Sequence, residues 1–421
     1  MEKSLIDMAR EGIITPAMRD AASCEGVEPD TIRSGLADGS LVIMTRDEKS
    51  VAIGKGAATK INANIGTSSV SISTDEEINK ARVAQQYGAD TLTDLSMGGD
   101  ISSIRRSIFL NTILPVTTVP IYQSVVEQGI HSMTEDHILD TISDHVDEGV
   151  SSVVLHCIEP ECIENLRNTD RIMGMVSKGG AFTCAYMLSN QCGNPFIDNF
   201  DHILEILKQK DVVLSLGNTM RGGCIHDIFD TPQIQEMQTN MKLAKRAHES
   251  GVQVIVEGTG GHVQASDIED NVKYYKQTGN YPLFVAGPLP IDVAVGYDHI
   301  AGCVGASMAA GAGADYLCYI TPSEHLRLPS ADDVKDGLIA FRIAAHIGDS
   351  IKYGSQSDDL ELAKRRAAMD WEGQMRYAID SEKPGKMCPD TGSCSMCGDF
   401  CAIDIMHDLL GHRIVSKDDQ I

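Results

Sequence analysis

Short apolar runs of strand length recur along the chain, separated by helix-like segments. They fall at Thr91–Leu95, Val116–Ile121, Ser152–His156, Met173–Val176, Val212–Leu216, Val252–Val256, Leu283–Ala286 and Tyr316–Ile320, with successive starts 21 to 40 residues apart. That spacing accommodates a strand, a crossover helix and two loops. Apolar character without alternation suits strands covered on both faces, as in a parallel sheet. Eight βα units with no large gap predict an α/β fold of the (β/α)8, TIM-barrel type, with a doubly wound sheet as the alternative.

The flanks divide the rest. Residues 1–75 form a small N-terminal α/β region, 76–330 the barrel, 331–383 a helical arm and 384–421 a tail that opens on Pro384 and Gly385. In the arm, Val334, Leu338, Phe341 and Ala345 make a helical stripe. A second helix is expected to begin near Asp358, with Glu361 completing a capping box, and to run past Trp371.

Composition changes this picture in two places. Acids outnumber bases 60 to 35, and the net charge of −25 argues against nucleic-acid or anionic-membrane partners. The start, MEKSLIDMAREGIITP, has no signal-peptide core, and no apolar run approaches membrane-helix length, so a cytoplasmic location with reduced thiols is expected. Of the 12 cysteines, eight are scattered, while Cys388, Cys394, Cys397 and Cys401 crowd the tail. In a large intracellular chain such a group points to a metal or catalytic role.

Barrels of this type keep their chemistry at the C-terminal ends of the strands. Polar groups stand at nearly every predicted strand end: Asp94, Ser96, Tyr122, His156, Ser177, Asn218, Arg221, Glu257, His262 and His325. Cys394-x2-Cys397-x3-Cys401 can hold three irons of a [4Fe-4S] cluster and leave the fourth open. The spacing also allows structural zinc, with Cys388 or His407 as fourth ligand, or thiols with no ligand. His262 and His325 can form a mononuclear Zn²⁺ or Fe²⁺ site, or simply hydrogen-bond in their loops. SKGG (177–180) and NTMRGG (218–223) can offer backbone N–H groups to a phosphate, with Arg221 adding a charged fork, or can only make tight turns. The segment INANIGTS (61–68) suits close backbone approach to a ligand.

Taken with GADTLTDLSMGGDI, TVPIYQ, VLSLGNTMRGG, VQVIVEG, GYDHI, LCYITPSEHLRLP and CSMCGDFC, these blocks make the chain from about residue 50 onward resemble the radical-SAM phosphomethylpyrimidine (thiamin pyrimidine) synthase family. The resemblance implies a barrel homodimer whose cluster tail docks on the partner's active site. The implied substrate is 5-aminoimidazole ribotide, with S-adenosylmethionine cleaved to a 5′-deoxyadenosyl radical and an electron donor such as flavodoxin or ferredoxin. By position, Asn64, Tyr122, His156, Ser177 and Arg221 match ribotide contacts, and Gly179, Gly180, Thr93, Asn218 and Phe284 belong to the same site. Glu257 matches the active-site glutamate, His262 and His325 match the holders of a second divalent metal (Zn or Fe), and Cys394, Cys397 and Cys401 match the cluster ligands.

The departures cluster around the substrate. The family's usual DGLRPG reads NTMRGG, its EGPGH reads EGTGGH, a strand-end Tyr is Phe284, and the Met before DLS is Thr93. The cluster motif is one residue shorter in its second gap. The chain resembles most the 5-hydroxybenzimidazole synthase branch, a resemblance with which the altered site residues are physically consistent; it implies conversion of the same ribotide to the cobalamin lower ligand with release of formate, an anaerobic lyase reaction. The alternatives are a phosphomethylpyrimidine synthase and, further off, a non-catalytic zinc-stapled binding protein.

Overall fold

The computed structural model describes residues 3–227, 229–389 and 393–410. They divide into two compact units, Met1–Gly348 and Asp349–Ile421. In the first, an antiparallel hairpin of β1 (Leu41–Arg46) and β2 (Lys49–Gly54) precedes a closed parallel barrel. The barrel runs β3 (Lys60–Ile65), β4 (Thr91–Asp94), β5 (Val116–Thr118), β6 (Ser152–Leu155), β7 (Val213–Leu216), β8 (Val254–Glu257), β9 (Leu283–Ala286) and β10 (Tyr316–Cys318). It closes where Tyr316 of β10 aligns with Lys60 of β3. The expected barrel is present, and no helix among the described residues is long and apolar enough to cross a membrane.

One strand differs from the sequence expectation. Met173–Val176 is a loop, not a strand. Gly174 turns left-handed there at φ 61°, and Met173 is 52% exposed. Arg171 pins the loop instead, through two bonds to the Asp230 carboxylate at 2.7 and 2.8 Å and one to the Met220 carbonyl. The eighth strand is β3, which alternates and so lacks the unbroken apolar signature. Its Ile61, Ala63 and Ile65 join the main core. Asn62 and Asn64 stand on the opposite face, as the two-residue period of a strand requires. Asn62 Oδ1 accepts from the hydroxyls of Thr91 (3.1 Å), Thr93 (2.9 Å) and Tyr316 (3.3 Å), and its Nδ2 donates to Asn64 Oδ1 at 2.8 Å. A buried polar row of this kind is stable only because its groups are paired.

The hairpin closes the N-terminal end of the barrel. Val42, Met44, Val51 and Ile53 form one apolar cluster with Val213, Ile255 and Tyr316. The Gln253 amide, just before β8, bonds both the N–H and the carbonyl of Ile43, at 2.7 and 3.2 Å. Val334, Leu338, Phe341 and Ala345 of the helix Ala331–Tyr353 pack into the main core, as their stripe predicts.

In the second unit the expected long helix is broken. Ser357–Ala367 ends before Met369, which turns left-handed at φ 53°. Asp370 then caps a new short helix, Trp371–Met375, by accepting from the Gly373 N–H. Glu361 pairs with Lys364 at 2.6 Å, and no side chain caps the start of Ser357–Ala367. Pro384 and Gly385 lie in a short helix, Glu382–Gly385. Residues 390–392 and 411–421 of the tail lie outside the described residues.

Candidate active site

A cavity of about 640 Å³, open mouth included, lies among the C-terminal strand ends of the barrel. Asn64, Thr93, Tyr122, His156, Ser177, Asn218, Arg221, Glu257 and Phe284 all line it. Its size falls within the roughly 300–1,000 Å³ of small-molecule sites. Nine residues spread from 64 to 284 thus share one space because their strands are neighbours in the barrel.

Each is set by its element. Tyr122 sits in the first turn of the helix Pro120–Gln128, with its ring edge-on to Phe182 at 5.7 Å. Ser177 caps the helix Lys178–Asn190 by accepting from the Gly180 N–H at 3.1 Å, so the helix N-terminus with Gly179 and Gly180 stands beside the cavity. His156 follows β6 in a slot that only glycine permits: a Cβ on Gly179 would lie 2.3 Å from its ring. Burial drives its pKa down to about 3, and the nearby Arg221 adds to the effect. The imidazole is therefore neutral, and its buried Nδ1 has no hydrogen-bond partner among the described residues.

Glu257 ends β8 and is held on both oxygens: Ser215 Oγ donates to Oε1 at 2.8 Å and the Asn218 N–H to Oε2 at 3.2 Å. Desolvation still raises its pKa above the usual carboxylate value, against the lowering by these bonds and by Arg221. A carboxyl raised in this way, in a cleft, is a candidate proton donor or acceptor. Arg221 reaches back to the Asn218 carbonyl at 2.8 Å. The 218–223 loop carrying both residues is hung on Glu236, whose two oxygens accept from the Thr219 and Met220 N–H groups at 2.6 and 2.8 Å. Burial pushes Glu236 up to about 7.

His262 and His325 meet. Their Nε2 atoms lie 3.4 Å apart, and His262 Nδ1 is fixed by Asp292 Oδ1 at 2.6 Å. His262 is positioned by its backbone, which donates to the Gly222 carbonyl at 3.2 Å, so the two glycine-rich loops hold each other. His325 is held in a left-handed turn at φ 63°. Two nitrogens on a tetrahedral ion at 2.0–2.1 Å would be about 3.4 Å apart, so the imidazole pair suits one metal, with Asp292 as the carboxylate that orients a ligating His. Among the described residues, no group of three or more His, Cys, Asp or Glu converges on a single ion.

In the tail, Cys394, Cys397 and Cys401 wind around one turn. The Cys394 carbonyl accepts from the N–H groups of Cys397 (3.3 Å) and Gly398 (3.0 Å), and Cys401 directly precedes the helix Ala402–Leu410. Three soft sulfurs on one short turn can each take one iron of a cluster.

Some neighbours carry no motif. Cys318 lines the same cavity, accepts from Asn64 Nδ2 at 3.0 Å, and has its thiol pushed up to about 12 by burial. Its signal was present only in part, since it lies inside the apolar run Tyr316–Ile320. Asp292 and Glu236 gave none, because their partners are distant in sequence.

The matching family profile, the Radical SAM ThiC family, covers residues 4–408. The chain belongs to that family. A phosphomethylpyrimidine synthase of Geobacter metallireducens is 43% identical over 97% of this chain and 98% of its own length. Another, from Methanococcus aeolicus, is 45% identical over 96% of this chain and 99% of its own. Membership in the radical SAM ThiC family brings a [4Fe-4S] cluster and S-adenosylmethionine, to which the three tail thiols are chemically suited.

Proposed function

We propose that the chain is a radical S-adenosylmethionine lyase that converts 5-aminoimidazole ribotide to 5-hydroxybenzimidazole, with formate released, as the source of a cobalamin lower ligand. The observation that carries this reading is local. Asn218 and Phe284, where the pyrimidine synthases usually have Asp and Tyr, line the same cavity as the residues matched to the ribotide.

The remaining site residues divide the work. Arg221, the Ser177 hydroxyl and the N–H groups at the start of Lys178–Asn190 bind the phosphate, as a helix N-terminus with a guanidinium does. Neutral His156 offers its unpartnered Nδ1, and Asn64 and Tyr122 orient the ribotide. Glu257 holds or moves a proton at its Oε atoms beside the ring. A carboxylate at position 218 would stand next to Glu257 and raise its pKa further; Asn218 removes that like charge. Phe284 stacks on Tyr316 at 4.1 Å and leaves that wall without a hydroxyl. With Leu95, Val119, Val154 and Ala286 it keeps water from the reacting carbons. Losing the Asp carboxyl and the Tyr hydroxyl removes two groups able to move protons or orient the ribose, which changes how the rearranging ribose partitions. The cluster with S-adenosylmethionine supplies the hydrogen-abstracting radical, and Cys394, Cys397 and Cys401 would hold that cluster. His262 and His325 would hold a second divalent metal, zinc or iron. The reading also carries a homodimer, a tail reaching the partner's active site, and a flavodoxin or ferredoxin as reductant.

The second reading is a phosphomethylpyrimidine synthase, favoured by the names of the relatives. Anaerobic expression in a bacterium lacking its own pyrimidine synthase separates the two. The proposal predicts no growth without added pyrimidine, together with 5-hydroxybenzimidazole in the medium; growth restored to the level given by a pyrimidine synthase gene would overturn it.

A further inference from the structure

One buried carboxylate beside the imidazole pair has no part in the roles above. Asp298 opens the helix Asp298–Ala312 and is 3% exposed, and its buried Oδ2 has no hydrogen-bond partner among the described residues. A carboxylate oxygen taken out of water and left unpaired is costly, so a donor that reaches it gains what the rest of the fold does not supply. That oxygen faces His325, whose Nδ1 lies 3.8 Å away.

The arrangement repeats, in looser form, the one on the other ring. Asp292 Oδ1 stands 2.6 Å from His262 Nδ1, and the two Nε2 atoms face each other at 3.4 Å. A carboxylate at Nδ1 keeps the proton on that nitrogen and leaves Nε2 as a lone pair. Asp292 is already closed on its ring, whereas Asp298 is about 1 Å short of the usual length of a charge-assisted bond. The slack lies in the ring and not in the acid. The His325 side chain is 51% exposed, against 4% for Asp298, so a turn of the imidazole closes the gap without moving the helix. We propose that Asp298 is a positioning residue, which fixes His325 with its proton on Nδ1 and its Nε2 toward His262. The pair then presents two lone pairs to one divalent cation, with His262 preset and His325 drawn into place. That consequence rests on the reading of the pair as a metal site.

Two measurements on the full-length protein test the assignment. The first is long-range proton–nitrogen NMR of histidine-labelled, metal-free protein at pH 8.5, above the ordinary imidazole pKa of about 6.5, with His325→Gln to assign the signal. His325 should carry its proton on Nδ1 in the parent and on Nε2 in Asp298→Ala. The second is zinc calorimetry on the anaerobically reconstituted protein, with His262→Ala as the control. Asp298→Ala should raise the zinc dissociation constant about 10–100-fold, the usual effect of losing a carboxylate behind a ligating His. A charge that only favours the start of its helix would lower the melting temperature and leave both readouts at the parent's values, which would overturn the proposal. An Nε2–H form of His325 in the parent would overturn it as well, and needs no folded variant. If the parent and His262→Ala bind zinc alike, the metal reading fails, and the tautomer alone then decides the role of Asp298.

Discussion

At the scale of single residues, the site depends on an imidazole kept neutral and upright. His156 stands against Gly179, where any Cβ would strike its ring, and against Gly217 on another side. Gly179→Ala should displace the imidazole while leaving the helix start intact, raising the ribotide dissociation constant at least tenfold by calorimetry; unchanged affinity would show that His156 does not touch substrate. The pH dependence follows from its pKa of about 3 in the fold against the ordinary 6.5. Below pH 6.5 the unfolded chain takes up a proton that the folded chain refuses, so stability falls as pH falls, by about 1.4 kcal/mol per unit for one group. His145, also kept neutral by burial, adds its own share. His156→Gln should therefore flatten the stability–pH slope between pH 6.5 and 5 by one proton, read by denaturant unfolding; an unchanged slope would mean that the imidazole is solvated in the fold. The motif residues of this site were legible because ordered sequence blocks carry them. Cys318 was visible only as part of a strand, and Asp292, which fixes His262, stands thirty residues away in a loop without pattern.

At the scale of elements, the 218–223 loop is held from outside the cavity. Glu236, on the helix Thr231–Glu249, supplies two acceptor oxygens to two N–H groups of that loop. Glu236→Gln keeps one acceptor and turns the other into a donor facing an N–H. The expected cost is about 1–3 kcal/mol of stability, with weaker ribotide binding through Asn218 and Arg221. Calorimetric stability equal to the parent's would show that the loop holds itself. Elements were legible where their burial pattern is uniform. Seven of the eight predicted apolar runs contain barrel strands, since both faces of those strands meet protein. β3 escaped because its inward Asn62 and Asn64 break the apolar run, and Met173–Val176 intruded because apolar composition does not reveal the left-handed Gly174. The break at Met369 was hidden for the same reason, since a left-handed methionine leaves no mark on a helical periodicity.

At the scale of the whole molecule, the hairpin β1–β2 fills the N-terminal end of the barrel, and the strand ends at the other side, with the loops and helix starts that follow them, carry the polar groups of the cavity. The acidic surplus of the chain does not oppose the proposed phosphate ligand, which Arg221 and a helix N-terminus would meet locally. Family and fold were legible from the order of blocks and the count of strands. The product was not, because on the proposed reading it depends on a few side chains around Glu257 and not on architecture. The central claim is therefore a claim about product, and one assay reads it: anaerobic reconstitution with iron and sulfide, reduction, incubation with 5-aminoimidazole ribotide and S-adenosylmethionine, and mass identification of what forms. The account predicts 5-hydroxybenzimidazole accompanied by formate; hydroxymethylpyrimidine phosphate as the main product would contradict it.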